Sequence, residues 1–188
     1  MVVESHTFMF ADISGYSLLA ALRGDEAAAE VALDFVDRAY RLSSRYGAEV
    51  IKSLGDAVMI HARDAAAGVS LALDLQEDCD AEPALPPIHI GLHTGPALKR
   101  ADDWWGGTVN VAARVAAAAE AGQLLLTATT RRAAGEMGST RLRELGPRCF
   151  KNIPSPVEVF AASRIDSPEP GGEPTNCARG SYRLAWVM

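Results

Sequence analysis

AEVIKSLGDAVMIH, residues 48–61, decides the fold. Two β-rich runs, Ala48–Ser53 and Ala57–His61, flank Leu54-Gly55-Asp56, a spacing that suits a tight hairpin. Asp56 therefore stands beside a turn. Upstream, from Asp25 to about Tyr46, the apolar residues Ala28, Val31, Phe35, Ala39 and Leu42 recur at three- and four-residue steps, which predicts an amphipathic helix stopped by Gly47. Before it, HTFMFA (His6–Ala11) is a buried strand closed by Asp12-Ile13-Ser14-Gly15, so a first carboxylate sits at a strand end. Downstream, residues 64–80 predict a second helix. Pro83, Pro86 and Pro87 then break the chain before a strand over Ile88–Thr94. The order βαββαβ gives an antiparallel sheet with its helices on one face, an α+β, ferredoxin-like arrangement. A helix over Thr108–Ala121, a strand over Gln123–Thr127 and short β segments near Arg141–Leu145 and Val157–Ala161 extend it.

The 188 residues, 48% hydrophobic and 22% charged, suffice for one domain with a substantial core. Residues 1–164 are read as that domain. From residue 165 the composition turns to Pro, Gly, Ser and Glu (SPEPGGEPTN, 167–176), as in a solvated, disordered tail. A net charge of −6 gives no overall attraction to nucleic acid or an anionic membrane, so neither is expected as a partner. With no apolar run of membrane-spanning length and no signal-like amino terminus, the expectation is a cytoplasmic protein. Cys79, Cys149 and Cys177 are scattered and odd in number, which predicts reduced thiols. His6, His61, His89 and His93 lie in strand-like apolar runs and are read as packing residues.

Asp12 and Asp56 each follow a β run beside a glycine, and the fold could bring them together at one sheet edge. Taken alone, both are ordinary turn formers. Together, paired acids suit hard divalent cations such as Mg²⁺ or Mn²⁺. Support for the second reading comes from three blocks: FADISGYS (10–17), EVIKSLGDAVM (49–59) and DWWGGTVNVAAR (103–114). In order and spacing they resemble the signature of class III nucleotide cyclases, over about residues 6–162.

The resemblance implies that Asp12 and Asp56, with the carbonyl of Ile13, bind two divalent cations. It places Gly15, Tyr16 and Ser17 where backbone amides wrap the triphosphate, although the family more often has Phe and Thr at the last two. Lys52 and Asp103 fall at the purine-reading positions, with Asp102 as the rival if the register slips. An ammonium donor and a carboxylate acceptor match N1 and the 6-amino group of adenine, whereas guanine presents the reverse pattern. The implied substrate is therefore ATP. Asn110 and Arg114, four residues apart on one helix face, fall at the transition-state positions. Lys151 resembles the lysine of the terminal phosphates, with Asn152 where glycine is usual; asparagine tolerates left-handed backbone. Trp104 and Trp105 are read as packing at a dimer seam rather than as a purine platform.

By the same resemblance the carboxylates come from one subunit and the base, ribose and arginine contacts from the other. This implies a homodimer with two shared sites. The short connection from Thr94 to Asp103 implies a trimmed dimerisation arm. The rival from another class is a catalytically silent cyclase-like module that binds nucleotide or regulates. A diguanylate cyclase would carry a GGDEF-type turn, which is absent here.

Overall fold

Phe8 to Ile13 are buried or nearly so on both sides of the chain, because the first strand lies at the centre of a sheet covered on both faces. A computed structural model describes residues 4–165. In chain order it has β1 (Ser5–Ile13), α1 (Tyr16–Arg23), α2 (Asp25–Arg45), β2 (Glu49–Leu54), β3 (Ala57–Ala62), α3 (Ala65–Asp80) and β4 (Ile88–Pro96). There follow β5 (Leu98–Arg100), β6 (Asp103–Trp105), α4 (Gly107–Ala117), β7 (Leu124–Thr127), α5 (Ala128–Ala134), β8 (Thr140–Arg148) and β9 (Val157–Arg164). The expected tail lies outside the described residues, apart from Ile165.

Seven strands form one sheet in the order β2-β3-β1-β4-β7-β9-β8. Its first four strands have the antiparallel ferredoxin-like arrangement. The sheet as a whole is mixed, because β7 pairs in parallel with β4. Alternation along β1 divides the core. Met9, Ala11 and Ile13 pack with Phe35, Ala39 and Leu42 of α2 and Val69, Ala72 and Leu75 of α3. Phe8 and Phe10 turn the other way, to Met59, Trp104 and Ala112.

That second face is where the structure departs from the helices-on-one-face expectation. α4 lies directly on it, and Gly91 is the reason: a Cβ there would stand 2.0 Å from the backbone nitrogen of Ala116. Only a glycine lets helix and strand backbones approach so closely. Two helices beyond the expected pattern, α1 and α5, are short, at 8 and 7 residues. The segment expected as a trimmed arm is the hairpin β5–β6, a small sheet of its own. No helix among the described residues is long and apolar enough to cross a membrane.

Candidate active site

The hairpin predicted from residues 48–61 puts Asp56 next to the end of β1. Asp12 pairs with Ala57 in the β1–β3 ladder, and the amide of Ile13 donates to the carbonyl of Asp56 at 3.1 Å. Burial, then the Asp56 charge and carboxyl beside it, push the Asp12 carboxyl up to about 7. Asp12 Oδ1 is buried without a hydrogen-bond partner. Two carboxylates crowded at a strand end, one oxygen unsatisfied, form a hard-oxygen donor set that fits a divalent cation. Among the described residues no group of three or more His, Cys, Asp or Glu side chains could hold a metal. Any further ligands would have to come from backbone oxygens such as the Ile13 carbonyl, from water or from a nucleotide.

The turn beyond Ile13 faces the same edge. Gly15 caps α1 with φ 74°, left-handed backbone that favours glycine. Its carbonyl accepts the amides of Leu18 and Leu19. Tyr16 and Ser17 begin the helix, where amides lie free of intrahelical bonds.

His89, read from sequence as packing, belongs to this edge instead. It stands opposite Asp12 in the β1–β4 ladder, with Nε2 3.6 Å from Asp12 Oδ2 and Nδ1 3.1 Å from Ser14 Oγ. Burial lowers its pKa, against the opposing pull of the Asp56 charge. The alternation of His89, Gly91 and His93 along β4 hinted that they share a face; the register that places His89 against Asp12 was not readable.

Lys52 and Asp103 meet although they lie 51 residues apart: Nζ donates to Oδ2 at 2.7 Å. Asp103 Oδ1 accepts the amide of Trp104 at 2.8 Å. The lysine contact holds the Asp103 carboxyl below the usual carboxylate range. Asp102 sits exposed at the hairpin tip, beside Ala101 with φ 51°. Both members of the ion pair line an open cavity of about 450 Å³, with Ile51, Arg100 and Trp105 among its other walls. Trp105 is 56% exposed, whereas Trp104 is buried.

Asn110 is exposed on α4 and Arg114 half-buried, and neither side chain has a hydrogen bond or ion pair among the described residues. The start of α4 is fixed far from the carboxylates. Thr108 Oγ1 donates to the Pro96 carbonyl at 2.5 Å, and the preceding Gly95 pairs with His6, at the other end of β1 from Asp12. Six residues of strand separate those levels by roughly 20 Å. Lys151 is exposed in the turn between β8 and β9, where Asn152 takes φ 64°, the left-handed conformation its identity allows. The structure thus brings together Asp12, Ile13 and Asp56 with the Gly15–Ser17 turn, and Lys52 with Asp103. Among the described residues no hydrogen bond or ion pair joins the Asn110, Arg114 or Lys151 side chain to either group.

Comparison with known proteins agrees with these features. Residues 2–150 match the family model described as the adenylate and guanylate cyclase catalytic domain. The chain is 32% identical over 161 residues to a pH-sensitive adenylate cyclase of Mycobacterium tuberculosis, covering 84% of this chain and 40% of that protein. It spans less than half the length of the first curated relatives it matches. Among solved structures, an adenylate cyclase of Trypanosoma brucei in its monomeric state superposes with a TM-score of 0.79 at 21% identity, covering 89% of this chain and 92% of that one. An adenylyl cyclase of P. aeruginosa superposes with a TM-score of 0.74 at 23% identity, covering 89% and 97%.

Proposed function

This chain belongs to the class III adenylate and guanylate cyclase catalytic domain family, and from that premise we propose that it is an adenylate cyclase forming 3′,5′-cyclic AMP and pyrophosphate from ATP in a homodimer. The observation that carries the choice of purine is the Lys52–Asp103 pair on the wall of an open cavity large enough to admit a base. Lys52 donates to N1 of adenine and Asp103 accepts from the 6-amino group; guanine offers a donor and an acceptor the wrong way round.

Asp12, Asp56 and the Ile13 carbonyl would hold two divalent cations, Mg²⁺ or Mn²⁺. When bound, these supply positive charge to the triphosphate and acidify the ribose 3′-hydroxyl. The amides of Gly15, Tyr16 and Ser17 bind phosphate oxygens at the head of α1, and Lys151 takes the terminal phosphates. Asn110 orients the ribose, and the Arg114 guanidinium neutralises charge gathering on the α-phosphate. The ribose 3′-oxygen forms the new bond to the α-phosphorus as the bond to the pyrophosphate oxygen breaks. No protein nucleophile takes part, so positioning supplies much of the acceleration, on the order of 7–11 kcal/mol for well-held reactants.

Sharing the site between subunits would account for the Asn110 and Arg114 side chains having no hydrogen-bond or ion-pair partner among the described residues. In a two-fold dimer, Asp12 and Asp56 of one copy would face Lys52, Asp103, Asn110 and Arg114 of the other. Asp12→Ala and Asn110→Ala are each expected to lose activity about 10³-fold. An equimolar mixture should recover roughly a quarter of the wild-type rate, since half the dimers then hold one intact site. A mixture as inactive as its parts would reject the shared site.

A further inference from the structure

The hairpin β5–β6 carries Asp103 and is tied to β2 by half-exposed ion pairs, Lys99 with Glu49 at 3.7 Å and Asp103 with Lys52 at 2.7 Å, so its apolar anchoring rests on few residues. Its strands are three residues long, a length that is marginal without packing. Leu98, Lys99, Arg100 and Trp105 are all exposed, and Trp104 is the hairpin's one buried side chain, at 8% exposure. What Trp104 packs against therefore decides where the hairpin sits.

That seat is built from two buried histidines. The Trp104 indole stacks on His61, with ring centres 4.4 Å apart and planes at 28°. His6 lies 4.4 Å away at 53°, and Phe8 meets the indole edge-on at 5.5 Å. His6 Nδ1 and His61 Nε2 share a hydrogen bond of 3.1 Å, which fixes both rings relative to each other across β1 and β3. The indole nitrogen of Trp104 is buried and bonds to nothing. No hydrogen bond among the described residues fixes the indole; it is located by packing, in which the two histidine rings join Phe8, Met59 and Ala112, so removing a ring should move it. The same residue's backbone amide holds Asp103 Oδ1 at 2.8 Å, while Lys52 holds Oδ2.

We propose that the hydrogen-bonded pair His6–His61, by seating Trp104, positions the Asp103 carboxylate and so sets how strongly adenine is preferred over guanine. The histidines touch no substrate; they are positioning residues acting through the hairpin. This rests on the reading of Lys52 and Asp103 as the base-reading pair. Replacing His61 by leucine removes the ring under the indole and strands the His6 nitrogen. Replacing it by phenylalanine strands that nitrogen too but keeps a ring under the indole, so the two variants differ in the ring alone.

The test is steady-state kinetics of the full chain with ATP and GTP in Mn²⁺. His61→Leu is expected to raise the ATP KM and to lower the ATP:GTP ratio of kcat/KM, each about ten-fold, with kcat changed less than three-fold. His61→Phe should recover most of both losses. In an Asp103→Ala background, His61→Leu should add nothing further, because its effect travels through that carboxylate. A His61→Leu protein that keeps ATP KM and base ratio within two-fold of wild type overturns the proposal, as does full additivity with Asp103→Ala. Should His61→Leu not fold, Trp104→Phe takes its place under the same criteria. If Asp103→Ala itself leaves KM and base ratio unchanged, it is the base-reading assignment that falls.

Discussion

At the end of β1, Asp12 and Asp56 crowd two carboxyl groups with one oxygen unsatisfied; between β2 and the hairpin β5–β6, Lys52 and Asp103 have neutralised each other at 2.7 Å. The contrast is visible in how the two carboxyls are perturbed. Asp12 is pushed up to about 7 by burial and by its neighbour, while Asp103 is pulled down by its lysine. The first site is destabilised until positive charge arrives, which suits capture of a cation. The second is already satisfied, so a ligand that bound there would have to offer both groups as good a partner as they lose. On the proposed function, the first would select for charge and the second for hydrogen-bond pattern.

The largest expected effect breaks the acidic edge. Asp12→Asn should lower cyclase activity by roughly 10³-fold or more. In metal-free buffer it should also raise unfolding stability by about 1 kcal/mol, because a repelled buried charge is gone. Activity assays together with urea unfolding in EDTA check both; a destabilised Asp12→Asn protein would contradict the crowding described above. Breaking the other site should cost less. Lys52→Glu with Asp103→Cys is expected to lower kcat/KM for ATP about 10²-fold. An unchanged ATP rate would reject the base-reading role.

Acid sharpens the contrast further. Burial draws His61 and His93 down from 6.5 to about 4. Between those values the unfolded chain binds protons that the fold refuses, so their contribution is complete above pH 6.5 and is lost as pH falls toward 4. Asp12, raised from 3.8 to about 7, works in the opposite sense: the fold gains over the unfolded chain as pH drops through that window. Asp103, shifted downward, contributes nothing that changes between pH 4.5 and 6.5. His61, His93 and Asp12 alone should therefore cost the wild-type protein on the order of 2 kcal/mol from pH 6.5 to 4.5, and Asp12→Asn about twice that, with His89 adding in the same direction. Urea midpoints across the range measure it; equal slopes for the two proteins would remove Asp12 from the account.

The smallest effect lies at the hairpin tip. Ala101 holds φ 51°, where a Cβ is unwelcome, so Ala101→Gly should stabilise by up to about 0.5 kcal/mol and leave the ATP:GTP ratio unchanged. A shifted base ratio would mean that the tip, and not only the Trp104 seat, sets the position of Asp103.

What residues 48–61 and their flanks determined by themselves was local. Strand and helix periods, the glycine turns and the position of each aspartate at a strand end all follow from neighbours in the chain, as do the family blocks that carry the resemblance. The left-handed Asn152 was legible for the same reason, since backbone tolerance belongs to the residue. α1 and α5 were harder to read, because helices of two turns leave too little periodicity to detect. Only the tertiary structure could set α4 on the second face of the sheet, lay His89 against Asp12, choose Asp103 over Asp102 for Lys52, and build a tryptophan seat from histidines 55 residues apart. Each depends on which strands pair and in what register, and that is fixed by burial summed over the whole sheet, not by any segment of it.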